Sequence, residues 1–259
     1  MMGMTTEMKG GRCMMEEKEY LINKFFKIGG NEKIEALKRC KADCERFLLR
    51  WSDDPEINDL VNVIQALSLY FKTGDKKEAR KWVVDIWEKF DSKTNFSLFE
   101  IRILNCILFT ELRVEKMVET VENCLMQLEI YKFHDDYVRT KMAFNMNLLE
   151  LLIDAKFFDS RYDNKFDELI SQTIQTIIRL NLENKMHNRY YVGLATMYQG
   201  ILLKDDIKIY TGLSELQNSS RNHSHNIQQL INIYIEKYSI SKSQQTSLLI
   251  HSINQKFNI

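Results

Sequence analysis

From about residue 16 onward, apolar residues recur at intervals of three and four, broken by short polar runs. That period is the signature of amphipathic α-helices. Glu16 to about Phe26 reads as a first helix, closed by Gly29-Gly30. Asn31 caps a second, reaching about Arg50, with Ile34, Leu37, Cys40, Cys44, Phe47, Leu48 and Trp51 on its apolar side. A third opens at Asp54, carries Pro55 in its first turn where proline is tolerated, and stops at Thr73-Gly74. A fourth starts at Asp75 and runs through Ala79, Trp82, Val83, Ile86 and Trp87. The capping box Ser97-x-x-Glu100 begins a fifth, apolar on nearly all sides to Phe109 and so expected at the centre. Further helices are predicted over about 114–131, from the break His134-Asp135-Asp136 to about Asp154, and over 164–182, 185–203 and 204–216. After a polar stretch at 217–225, two more are expected, at about 227–238 and 241–257.

One proline and nine glycines in 259 residues reinforce this all-α reading. The helix–turn–helix rhythm, about 35–45 residues per pair, belongs to α-solenoids of stacked helical hairpins of the tetratricopeptide kind. No W-x2-L-G-x2-Y pattern is present, so the repeats are degenerate, and a compact irregular bundle is the competing architecture. The expected organisation is a segment 1–15 without fold and a single helical-repeat domain over 16–259. Lys9-Gly10-Gly11 corresponds to a purine-rich, ribosome-binding-like string ahead of the codons of Met14 and Met15, so either methionine is the expected biological start.

Charge and cysteine content narrow the function classes. Lys+Arg and Asp+Glu are both 36, without the basic excess of a typical nucleic-acid-binding domain. Five cysteines without framework spacing read as reduced thiols in the cytoplasm. No apolar run approaches 18 residues and no signal-peptide core begins the chain, so no membrane span is expected.

No motif carries catalytic chemistry. Cys40 and Cys44 lie on one helix face and would supply two zinc ligands, but nothing nearby supplies the rest, and core packing is the favoured reading. His223 and His225 read as a solvated loop, and His134-Asp135-Asp136 as a helix start. There is no G-x-S-x-G elbow and no phosphate-binding glycine loop, so the chain reads as a non-enzyme without cofactor or metal. Trp51, Trp82 and Trp87 suit packing between helix pairs. Asn105, Asn145 and Asn147 stand out because they interrupt apolar helices. A buried carboxamide must be hydrogen-bonded at both ends, so each either braces a neighbouring helix or grips the backbone of a bound peptide.

The run Phe99-Glu100-Ile101-Arg102-Ile103-Leu104-Asn105-Cys106-Ile107-Leu108-Phe109 resembles a helix in the C-terminal domain of Rgg/GadR/MutR-type transcriptional regulators. Asn147-Leu148-Leu149-Glu150-Leu151-Leu152-Ile153-Asp154 with Phe157-Phe158-Asp159, and Tyr190-Tyr191-Val192-Gly193 through Gln199-Gly200, resemble later segments of that domain. The likeness spans roughly residues 30 to 240. It implies a right-handed superhelix whose concave face binds a short peptide in quorum sensing, with Asn105 and Asn147 as peptide contacts. It further implies a cytoplasmic homodimer, with 227–259 as capping and dimerisation helices. Family members carry a helix-turn-helix domain before the superhelix, and none fits here. The expectation is therefore a sensor acting by binding rather than catalysis, without direct nucleic-acid binding. The alternative is an interaction scaffold or antagonist that heterodimerises with a full-length relative.

Overall fold

Helix starts and stops are set by side chains that satisfy the backbone groups a helix end leaves open. The computed structural model, which describes residues 13–28, 33–162, 164–184 and 189–219, has eleven α-helices and no strand among the described residues, and three of the helices open on such side-chain caps. The chain divides into two compact units, residues 1–110 and 111–259.

The first unit holds α1 (Met14–Phe26), α2 (Lys33–Leu48), α3 (Pro55–Thr73), α4 (Lys76–Arg80), α5 (Val84–Asp91) and α6 (Leu98–Ile107). Asp54 caps α3, its carboxylate accepting from the Ile57 amide at 3.0 Å, with Pro55 in the first turn. Gly74 ends the helix at φ 71°, a left-handed conformation that a side chain disfavours. Asp75 caps α4, and the Ser97–Glu100 capping box opens α6 with both reciprocal bonds made. Lys18 of α1 reaches Asp54 at 2.8 Å and Glu56 at 2.7 Å, tying α1 to the start of α3.

Helix α1 packs on α2, α2 on α3 and α3 on α4, and α1 also meets α3, which in turn meets α6. Leu37, Phe47, Ile57, Leu60, Ile64, Ile101, Leu104 and Ile107 are buried in this unit. Its end is fixed by Thr110, whose hydroxyl donates to the Ile107 carbonyl at 2.7 Å and accepts from Trp87 Nε1 at 2.9 Å. Arg80 Nη1 donates to the Thr110 carbonyl at 2.9 Å.

The second unit holds α7 (Val114–Leu128), α8 (Tyr137–Phe158), α9 (Asp167–Glu183), α10 (Arg189–Leu203) and α11 (Asp206–Ser219). Each packs on the next, and α8 also meets α10. Glu115 of α7 accepts from Tyr162 Oη at 3.1 Å and Lys165 Nζ at 2.7 Å, bracing the turn before α9. Between α10 and α11 the backbones themselves touch. A Cβ on Gly200 would stand 2.4 Å from the Ile209 nitrogen, and one on Gly212 2.4 Å from the Met197 nitrogen.

Several elements depart from the sequence reading. The helix expected from Asp75 through Trp87 is two helices, because Lys81, Trp82 and Val83 donate to carbonyls three residues back and overwind the chain. Trp87 is buried, whereas Trp82 is 46% exposed rather than in the core. Helix α1 begins at Met14, inside the stretch expected to lack fold. The helix expected to end near Leu216 reaches Ser219, taking in residues read as loop. Asp136 stands at the start of α8 but makes no side-chain cap; it pairs with Arg139 at 3.4 Å instead. The Gly29-Gly30 stop, the Asn31 cap and the C-terminal helices at 227–259 lie outside the described residues.

Replacing Gly200 or Gly212 by alanine forces a methyl group into backbone and should cost about 3 kcal/mol, the upper end of overpacking effects. Gly74→Ala, which meets open space and only conformational strain, should cost about 1 kcal/mol. Urea midpoints of the three variants check the ranking.

Candidate functional site

Helix α6 has two faces. Ile101, Ile103, Leu104, Ile107 and the following Leu108 are buried, while Arg102, Asn105, Cys106 and Phe109 are half-buried at helical spacing. The second set forms a stripe rather than a random exposure, since positions three, four and seven apart share a side. Neighbouring helices line it with rings. The Arg102 guanidinium lies 3.7 Å from the centre of the Phe26 ring of α1, and Phe26 meets Phe99 edge-on at 6.4 Å. Tyr70 of α3 stacks on Phe109 at 4.3 Å. Lys33 of α2 places its ammonium 4.0 Å over Phe71. Burial pushes the Cys106 thiol up to about 12, against the pull of the Arg102 and Lys33 charges. The α6 surface is thus an aromatic floor carrying two cations and one carboxamide.

In the second unit, Asn147 is half-buried on α8, with Glu150 and Asp154 three and seven positions on. Glu150 acts on Tyr190 of α10, whose phenol is raised to about 12, mainly by burial. Burial also raises Tyr191, against the opposing charge of Arg139. This surface is acidic and phenolic where that of α6 is cationic and aromatic. Asn145 is buried and donates to the Lys141 carbonyl at 2.8 Å, a bond within its own helix.

Asn105 and Asn147 therefore belong to different units, each on a half-buried helical face with its own chemistry. Sequence reasoning missed the cations and rings around Asn105. The only sequence signal is Arg102, a charge three residues before Asn105 in an otherwise apolar run; its ring partner Phe26 lies 76 positions away.

Elsewhere the chemistry is self-contained. Cys40 and Cys44 are fully buried on α2. Among the described residues no three of His, Cys, Asp and Glu converge as metal ligands would. His134 accepts from the Asp136 amide through Nδ1 at 3.1 Å, in the turn before α8. His223 and His225 lie outside the described residues. An open cleft of about 730 Å³ lies between α1 and α2, lined by residues that include Glu17, Tyr20, Asp43, Arg46 and Arg50, but by neither asparagine. Its arginines pair with its own acids, Arg50 with Glu17 and Arg46 with Asp43. Among the described residues no helix is long and apolar enough to cross a membrane.

No protein-family model, curated protein or solved structure matches the chain.

The raised thiols make stability fall in alkali. Cys106 and Cys124 titrate near 12 when folded, against about 8.5 in an unfolded chain. Between those values the unfolded state holds fewer protons, so folding loses free energy as pH rises. Urea midpoints should drop from about pH 8.5 towards 12, and Cys106→Ala should make that slope shallower.

Proposed function

We propose that this chain is a peptide-sensing regulatory module that acts by ligand binding, resembling the helical-repeat domain of Rgg/MutR-type regulators. The observation that carries the reading is the half-buried stripe of α6, where Asn105 and Arg102 stand among Phe26, Tyr70, Phe99 and Phe109. A carboxamide offers both a donor and an acceptor, the pair that an extended peptide backbone requires. Aromatic rings accept apolar side chains with little loss of rotamer freedom. Arg102 and Lys33 favour an anionic group on the ligand.

Packing between alternate helices within each unit, α1 on α3 and α8 on α10, supports stacked hairpins. In this reading Asn147 supplies the equivalent backbone contact on α8. Peptide binding biases the tilt of successive hairpins, and so a cytoplasmic dimer.

The test uses fluorescence anisotropy with a synthetic peptide selected from a random library on the intact protein. Asn105→Ala and Asn147→Ala should each weaken binding about tenfold, as loss of one or two backbone hydrogen bonds implies. Unchanged affinity in both variants removes these residues from the site. Recovery of a full-length relative bound to the chain, with no peptide selected, favours the scaffold instead.

A further inference from the structure

Helix α7 buries Val121, Cys124, Gln127 and Leu128, yet its other side leads into Met126, Ile130 and Phe133, which are 69%, 74% and 90% exposed. Backbone geometry puts these three on one line. Met126 and Ile130 are four residues apart across the end of α7, about one α-helical turn. Glu129 and Lys132 keep right-handed helical dihedrals, and the chain tightens there into a 3-10 turn, Glu129–Tyr131. Three residues complete one turn of such a helix, so Phe133 follows Ile130 on the same side. The Lys132 ammonium lies 5.0 Å from the centre of the Phe133 ring, and Glu122, Glu129 and Lys132 are exposed around the strip.

A single exposed leucine needs no explanation, but a contiguous apolar strip does. With about 200 Å² of surface per large side chain, the three leave about 450 Å² to water. Two copies of the strip laid together remove about 900 Å² of apolar surface, and the charged rim takes the total past the roughly 1,000 Å² that a specific interface needs. An aromatic residue and methionine at the centre, with lysine and glutamate at the rim, is also the composition of such interfaces. The shape fits a second copy as well. Intervals of four and three residues make a narrow helical seam, which packs against another seam of its own kind. When two strips run antiparallel about a twofold axis beside Ile130, Met126 of one copy meets Phe133 of the other, and Lys132 of each lies beside Glu129 of the other.

We propose that two copies of this chain associate through the strip Met126, Ile130 and Phe133, antiparallel about a twofold axis beside Ile130. The surface lies wholly within the second unit and is separate from residues 227–259, where the resemblance places dimerisation. The strip is held firmly for docking. Glu129 accepts from Tyr137 Oη at 2.7 Å and from Lys141 Nζ at 2.6 Å, which braces the end of α7 against the start of α8 and lowers the ordering cost of association. Phe133, the most exposed of the three, is the anchor. The dimer is weak, with a Kd on the order of 10 µM, because its area stands at the lower limit for a specific complex. It rests on exposure and spacing alone, whether or not the α6 surface binds a peptide.

The test is sedimentation velocity of the full chain from about 1 to about 200 µM. The wild-type protein should pass from monomer to dimer across that range. Ile130→Asp and Phe133→Asp should each weaken association about thirtyfold or more, as loss of an interface anchor does. Both side chains are exposed, so both variants should keep the wild-type circular dichroism. Leu49→Asp, at an exposed position of the first unit, should leave the dimer intact. Ile130→Cys, with the exposed Cys13 changed to Ser, should form a disulfide between copies under mild oxidation, since the two Ile130 positions meet at the axis. A chain still monomeric at about 200 µM overturns the proposal. So does a dimer that Ile130→Asp and Phe133→Asp leave unchanged, or one that Leu49→Asp dissolves. Failure of the Ile130→Cys bond in a dimer overturns the antiparallel arrangement.

Discussion

An α-helix satisfies its own backbone but leaves one apolar side that only another helix can cover. In this chain that requirement falls mostly on sequence neighbours, because the turns are short. Leu21 and Phe25 of α1, Leu37 and Phe47 of α2, and Ile57, Leu60 and Ile64 of α3 are buried together as successive helices fold back. Where helices that are not sequence neighbours also meet, as α1 with α3 and α3 with α6, α6 keeps a strip that its neighbours do not fully cover. The half-buried stripe of Arg102, Asn105, Cys106 and Phe109 is such a strip. Packing thus decides which residues stay half-buried before any polar chemistry enters.

The polar groups that survive inside follow the same rule. Thr110 is buried because Trp87, Arg80 and the Ile107 carbonyl answer its hydroxyl and its carbonyl. Asp54 is buried because the Ile57 amide and the Lys18 ammonium meet its two oxygens. Each contact joins segments that hydrophobic burial alone would let slide, so register as well as stability rests on them.

Local signals made most helix boundaries readable from sequence. Asp54 with Pro55, Gly74 with Asp75, and Ser97 with Glu100 act within a few residues, so their chemistry is visible without a fold. The break between α4 and α5 was not visible. Ala79, Val83, Ile86 and Trp87 keep one apolar period across it, and the overwinding lies in the backbone hydrogen bonds. The site divides in the same way. Asn105 and Asn147 betray themselves as amides within apolar runs, but nothing in one dimension pairs Arg102 with Phe26, or Lys33 with Phe71. Nor does the pattern separate Asn145, which is buried, from Asn147, half-buried two positions later.

The contact between α10 and α11 bears on how kin of this chain are to be sought. Most of its core tolerates exchange among Leu, Ile, Met and Phe, because side chains repack. Gly200 and Gly212 have no such freedom, since what they meet is main chain. Any chain that keeps this hairpin must therefore keep two residues without a side chain, twelve positions apart, whatever its other apolar positions become.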